Sequence, residues 1–476
     1  MPRLCPPSLK QPGAILLVSC YELGHQPLAI ASASGRLQEA GYDAAVLDLA
    51  VERLQHDAVA AARFVAVAVP MHTALRIGAR LVERVRAVNP ECHICLFGLY
   101  ASLNAGTLLE AGADSIIGGE FEEPLVRLIM AIDGGGTGDG QPGVRTRVTD
   151  SAPFIDRIHF AVPRRDNLPP LHRYASLEAD GLTRVAGYVE ASRGCLYLCR
   201  HCPIPAVYEG RFFVVPREVV LADIRGQVAG GATHITFGDP DFLNGPGHVL
   251  PILRSMHDEF PDLTFDVTAK IEHLLTRRDL LPGMRDLGCL FITTAIESLS
   301  DRVLSILDKG HTRADVSVAL RQVRAAGIAP RPSFVPFTPW TSLNEYRDLL
   351  RFVEDEDLIL HLDPVQLSIR LLLPPGSLLL DRPELRDHLG PLDPAHFTYL
   401  WTHPDPGMDR LHREVTALVE RAVRAREDPW VTYRHIRRAA DRAAGLAEPD
   451  LPERLIAPPP SHDKGRPPRL SEPWYC

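Results

Sequence analysis

Two stretches of this 476-residue chain alternate short, almost unbroken apolar runs with helical periods, and that alternation limits the fold more than any other feature. A strand that is apolar at every position must be covered on both faces. Helices between such strands supply the cover and impose a parallel sheet. In the first stretch the pattern predicts strands at 14–20, 44–49, 64–69, 93–98 and 113–118, with helices at 28–40, 73–88 and 102–111. Residues 13–132 are therefore expected to form a doubly wound domain of about five strands, with a ligand crevice at the carboxyl ends of those strands.

Residues 133–185 break the pattern. Positions 133–143 hold six glycines and one proline, a flexible linker, and Pro163, Pro169 and Pro170 keep the following arm from forming long helices. The alternation resumes at 186–373, with strands expected at 186–192, 234–237, 264–269, 290–296, 329–335 and 365–371 and helices at 216–229 and 313–326. Six strands separated by helices suggest a partial (β/α)6 barrel, whose chemistry would sit at the C-terminal strand ends and the loops that follow. Residues 374–476 read as a mostly helical extension, with helices at 409–426 and near 433–444 and an extended, proline-rich tail from 449. The fold class is α/β.

Composition removes several function classes. The net charge is −9, so no basic face for nucleic acid is expected. No apolar run is long enough to cross a membrane, and the N-terminus lacks the charged start and apolar core of a signal peptide, so a cytoplasmic protein is expected. Only Lys10, Lys270, Lys309 and Lys464 are lysines; the other basic residues are arginines, and the arginine-rich run 434–442 reads as a solvated helix face. Nine cysteines without a secretion signal argue against a disulfide framework.

Three of those cysteines stand in Ser192-Arg-Gly-Cys195-Leu-Tyr-Leu-Cys199-Arg-His-Cys202-Pro, directly after an expected strand. Thiolates are the natural ligands of iron–sulfur clusters, which ordinarily take four. Three cysteines at C-x3-C-x2-C can hold three irons of a cubane and leave the fourth open to a bidentate ligand. A structural zinc site is the plainer alternative, but zinc favours four closed ligands in two pairs, and the second pair is missing. The spacing, the strand before it and Gly194 resemble the signature of radical S-adenosylmethionine (SAM) enzymes. That resemblance implies a [4Fe–4S] cluster on Cys195, Cys199 and Cys202, with SAM bound through its amino and carboxylate groups at the open iron. It also implies one-electron cleavage of SAM to a 5′-deoxyadenosyl radical, fed by an electron donor such as flavodoxin or ferredoxin. His201, where the family usually has an aromatic residue, would lie beside the adenine.

Further positions follow from the same resemblance. Gly238 and Asp239, in Phe237-Gly-Asp-Pro-Asp241, would contact the SAM amino group; Gly-Asp-Pro is also ordinary turn chemistry. Glu297, ending the fourth strand, would bind the ribose hydroxyls, or else cap the next helix. Lys270 would meet a carboxylate of SAM or substrate. Lys309 has a weaker claim, since a cation also suits a helix C-terminus. Arg370, at the end of the sixth strand, would bind the SAM carboxylate, or else is a surface guanidinium.

A doubly wound domain upstream of such a barrel resembles the cobalamin-binding domain of one radical SAM subgroup. The phrases that carry this are Gly41-Tyr-Asp, Gly118-Gly119-Glu120-Phe-Glu122 and the loop Ser19-Cys-Tyr-Glu22-Leu-Gly24, which would lie under the corrin. That loop departs from the Asp-x-His-x-x-Gly pattern of many cobalamin domains; His25 is nearby but does not restore it. The end, Glu472-Pro-Trp-Tyr-Cys476, resembles the approach to the Cys-Cys-Ala-Glu-Pro or Cys-Sec-Ala-Glu-Pro tail of one radical SAM family. On that resemblance Cys476 is a redox residue, and the reading frame continues through a selenocysteine codon. The function expected is cobalamin-dependent methyl transfer to a small-molecule substrate, with radical rearrangement, sulfur or selenium insertion, or a non-catalytic cobalamin or redox sensor as alternatives.

Overall fold

The computed structural model describes residues 8–446 and 466–472; Cys476 lies outside them. The first sheet contains β1 (Ile15–Ser19), β2 (Ala45–Asp48), β3 (Phe64–Ala68), β4 (His93–Phe97), β5 (Ser115–Ile117) and β6 (Val144–Thr146). Their order is β2-β1-β3-β4-β5-β6, and every neighbouring pair is parallel except β5 and β6. The wholly apolar strands are buried on both faces as their composition requires. Along β1, Ile15 and Leu17 enter one core while Leu16 and Val18 enter the other. Helix His72–Val88 buries Leu75, Gly78, Leu81, Val82 and Val85, one stripe at helical spacing. The antiparallel edge strand β6 lies in the arm that sequence alone leaves without structure.

The rest of the chain supplies β7 (Ser176–Ala179), β8 (Leu182–Val189), β9 (Ser192–Gly194), β10 (Phe212–Val214), β11 (His234–Phe237), β12 (Thr264–Ala269), β13 (Cys289–Glu297), β14 (Ala329–Phe334), β15 (Leu389–Asp393), β16 (Thr398–Trp401) and β17 (Arg469–Leu470). Five parallel strands form the half-barrel, in the order β14-β13-β12-β11-β8, and β7 and β17 extend its β8 edge as antiparallel additions. Strand alternation sorts the side chains. Ile235, Phe265, Val267 and Ile292 pack outward under the helices, whereas Thr236, Asp266, Thr268, Thr293 and Ser333 line an inner cavity.

Two expectations need correction. The sixth barrel strand at 365–371 is instead a 3-10 turn, Pro364–Leu367, followed by a single bridge between Phe337 and Arg370. Pro364 has no amide hydrogen to offer a ladder, the Gln366 amide donates back to the Asp363 carbonyl at 2.9 Å, and it is the Gln366 side-chain oxygen that accepts the Phe334 amide at 3.1 Å. The arginine run 434–442 is not uniformly solvated. Arg437 is buried and pairs with Glu354 at 3.0 Å and Asp441 at 2.8 Å, tying helix Pro429–Ala443 to helix Leu343–Asp355.

Candidate active site

The cysteine loop leaves the barrel at β9, returns at β10, and is closed by the antiparallel pairing of those two short strands. Gly194 turns the chain at φ +73°, and a Cβ there would stand 2.3 Å from the Arg211 carbonyl oxygen, so only glycine fits. Just upstream, the buried Asp239 carboxylate accepts the Ala191 amide at 2.9 Å and the Ser192 hydroxyl. Burial pushes its pKa up to about 7 against those two bonds. Asp239 thus fastens the start of the cysteine loop, a role that its expected contact with an ammonium group did not anticipate. Gly238 is forced by its neighbour: a Cβ would lie 1.9 Å from the Tyr188 hydroxyl.

Cys195, Cys199 and Cys202 line one cavity of about 390 Å³ together with His201, Gly238, Asp239, Lys270, Glu297 and Lys309. Cys195 and Cys199 are buried, and the Asn244 amide donates to the Cys195 sulfur at 3.5 Å. Burial raises the Cys202 thiol to about 12. Among the described residues no group of three or more histidine, cysteine or carboxylate side chains is set to hold a single metal ion. A cubane makes a different demand, one thiolate on each of three irons, and three thiols around a shared cavity meet it.

Glu297 sits at φ +69°, a left-handed conformation that a non-glycine residue adopts at a cost of about 1–3 kcal/mol. The turn aims its carboxylate at Lys309 Nζ, 3.3 Å away, and His201 Nε2, 3.4 Å away. Burial alone would raise this acid, but Lys309 and His201 outweigh it and hold the pKa at about 2. Glu297 is not a helix cap, since Ser300 fills that role for helix Asp301–Leu307. Lys309 is likewise not left at its helix end: its ammonium is buried beside Glu297, and Glu297 and the Cys199 sulfur raise its pKa against burial. Lys270 is buried, with Nζ 3.2 Å from the Tyr197 ring centroid and 3.5 Å from Glu272, yet that nitrogen makes no hydrogen bond. Arg331, in the same cavity wall, likewise has a buried nitrogen without a hydrogen bond.

Arg370 does not join them. Its guanidinium stacks on Trp401 at 3.5 Å, pairs with Asp409 at 2.7 Å and donates to the Trp401 carbonyl oxygen, because the expected strand that would have carried it inward is absent.

A second cavity, of about 240 Å³, opens between the carboxyl ends of β1, β3, β4 and β5 and the barrel. Glu22 and Gly119 line it; Ser19, Gly24 and Glu120 do not. Glu22 accepts the Leu28 and Ala29 amides at the start of helix Leu28–Glu39, and burial pushes its pKa up to about 8. The Ser19 hydroxyl is buried without a hydrogen bond. Gly24 packs against Glu472. Glu120 belongs to a node that sequence reasoning missed: Arg193, two residues before Cys195, pairs with Glu120 at 3.0 Å, Glu122 at 2.7 Å and Glu190 at 3.0 Å, lying between the Phe121 and Phe160 rings. This node ties the cysteine loop to the ligand end of the first sheet. His25 and Tyr188, stacked at 4.5 Å, stand in the wall shared by the two cavities. Burial holds His25 neutral, with a pKa lowered to about 4.

Residues 189–353 match the model of the radical SAM superfamily. The half-barrel is a radical SAM domain. That superfamily implies a [4Fe–4S] cluster and SAM, and the cavity holding the three cysteines, Lys270 and Glu297 has the donors both need. Among curated proteins, the ribosomal protein uS12 methylthiotransferase RimO of Geobacter sulfurreducens is 29% identical over 219 residues, covering 42% of this chain and 48% of its own length. The hopanoid C-3 methylase of Methylococcus capsulatus is 23% identical over 265 residues, covering 55% and 50%. The chain spans about half the length of the curated relatives it matches. Among solved structures, the radical SAM methyltransferase TsrM from Kitasatospora setae, with tryptophan substrate and a SAM analogue bound, superposes with TM-score 0.65 at 18% identity, covering 82% of this chain and 86% of that one. The cobalamin-dependent radical SAM enzyme OxsB, with aqua-cobalamin bound, gives TM-score 0.65 at 15% identity over 93% and 74%. At these identities the superpositions establish a shared α/β fold, doubly wound domain and half-barrel together.

Proposed function

We propose that the chain is a cobalamin-dependent radical SAM enzyme that transfers a methyl group to a small-molecule substrate. The observation that carries this is the adjacency of two cavities, one walled by three thiols and the other at the carboxyl ends of a doubly wound sheet, sharing the His25–Tyr188 wall. A [4Fe–4S] cluster would be held by Cys195, Cys199 and Cys202, and SAM beside it by Lys270, Glu297 and His201. When bound, these groups supply a 5′-deoxyadenosyl radical on one-electron reduction, from a donor such as flavodoxin or ferredoxin. Cobalamin would occupy the second cavity, whose lining includes Gly98 and Gly119; Gly119 packs its backbone on Phe154, where a Cβ would stand 2.2 Å from the carbonyl oxygen. The wall there is mostly apolar, which suits a macrocycle, and among the described residues His25 is its only imidazole.

The protein's own part is placement and exclusion of water. Lys270 would take the carboxylate of SAM, the Glu297–Lys309–His201 cluster would fix its nucleoside, and Arg193 would hold the cysteine loop against the first domain. The similarity to methylthiotransferases favours a second reading, sulfur insertion, over the remaining alternatives. Anaerobic reconstitution with iron, sulfide and cobalamin, followed by SAM labelled on its methyl group, tests the assignment. Label in a product without added sulfur, together with 5′-deoxyadenosine, is expected. Label arriving with sulfur transfers the assignment to the second reading, and no 5′-deoxyadenosine above background rejects both.

A further inference from the structure

The half-barrel does not close on itself: β14 and β8 do not pair with each other, so the lumen has an open side. Here the chain itself covers that side. Strands β7 and β17 form a ribbon in which Leu470 faces Leu177 and Arg469 faces Glu178, the latter pair also bridged at 2.8 Å. The Ser471 amide donates to the Ser176 carbonyl at 2.8 Å, and the Ser176 amide to the Ser471 hydroxyl at 3.0 Å. The ribbon's apolar face, Leu177 and Ala179 with Leu470 at its margin, packs on Phe291 of β13 and Ala329 of β14, across the gap. Beyond the ribbon Glu472 reaches the first domain. It accepts the Tyr21 hydroxyl at 2.7 Å, and its Cγ fills the space over Gly24, 2.7 Å from where a Cβ would stand. Leu470 and Glu472 both line the cavity that holds the three cysteines.

We infer that residues 466–472 are the closing wall of the reaction chamber, with Leu470 and Glu472 as side chains that limit what enters it. The inference rests on the proposed function only in taking this cavity as the place of reaction. A segment of polypeptide or nucleic acid cannot reach the thiols through the side that this wall covers. The substrate class is a small molecule, with polar groups matched to Thr236, Asp266, Thr268, Thr293 and Ser333 in a wall that is otherwise mostly apolar.

The test measures access directly and needs neither iron nor substrate. Cluster-free full-length protein is treated with iodoacetamide or with a maleimide carrying a long polyethylene glycol chain, and labelling of Cys195, Cys199 and Cys202 is read by peptide mass spectrometry. The wild type is expected to take iodoacetamide and to resist the polymer. Ser471→Pro, which lacks the amide that bonds Ser176, is expected to take the polymer about tenfold faster or more, through local release of the ribbon. If that variant fails to fold by circular dichroism, Glu472→Ala, which removes the Tyr21 hydrogen bond and the packing over Gly24, is read in the same way. Polymer labelling of the wild type as fast as of a folded variant overturns the inference. Failure of the wild type to cleave SAM overturns the proposed function instead, and the labelling result is unaffected by it.

Discussion

The two cavities treat buried carboxylates in opposite ways. Around the cysteines, Glu297 is held down at about 2 by Lys309 and His201 despite its burial. In the cavity of the first domain, Glu22 is pushed up to about 8, burial prevailing over the two amides it accepts, and burial likewise raises Glu190. Glu297 keeps its charge because Lys309 and His201 stand beside it. Glu22 sets two backbone amides against its burial, while its neighbour Glu190 has the Arg193 guanidinium at 3.0 Å. The contrast between Glu297 and Glu22 lies in whether a cation accompanies the acid.

The sharpest break of that contrast is Cys195→Ala. Loss of one of three thiolates is expected to abolish iron–sulfur absorbance and bring 5′-deoxyadenosine formation to background, while cobalamin uptake, measured by absorbance after gel filtration, stays as in the wild type. Loss of both would show that the cavities are not separate sites. Next in size, Glu297→Gln leaves the Lys309 ammonium buried without its carboxylate. Uncompensated buried charges cost about 3–5 kcal/mol, so urea unfolding of the cluster-free protein should show a loss of that order, together with weaker SAM binding.

The pH dependence sharpens the contrast further. The stability that Glu22 lends is present below its ordinary pKa of 4.5 and lost as pH rises through about 8, because the folded form keeps a proton the unfolded chain has released. Glu297 behaves in reverse: its contribution is present above 4.5 and lost as pH falls towards about 2. Glu22→Gln should therefore flatten the decline of the urea midpoint between about pH 5 and 8, and an unchanged slope would show that Glu22 is not the group responsible. The smallest effect is expected at Arg370→Ala. A partly exposed ion pair contributes about 1 kcal/mol or less, and SAM cleavage should be unaltered, since Arg370 lies outside both cavities.

Much of this was legible in the sequence wherever periodicity or fixed spacing carried the information. The apolar strands of the first sheet and the C-x3-C-x2-C loop fell where pattern alone placed them, because each is set by neighbours within a few residues; Gly238 and Glu297 were singled out by the family resemblance and stand at strand ends as expected. Arg370 failed for the same reason in reverse: an apolar run at 365–371 looks like a strand, but Pro364 starts a turn there. The bond from Asp239 to the cysteine loop was not foreseen, since it joins residues 47 positions apart. The Arg193 node and the docking of 466–472 on β7 rest on contacts between segments about 70 and 290 residues apart, for which a single sequence holds no signal.

The most direct test is the electron paramagnetic resonance spectrum of the reduced, anaerobically reconstituted protein, recorded with and without SAM. A [4Fe–4S] cluster with one iron open to the amino and carboxylate groups of SAM predicts a reduced-cluster signal whose g-values move when SAM is added. A cluster signal indifferent to saturating SAM, or iron bound equally well after all three cysteines are replaced by alanine, would contradict it.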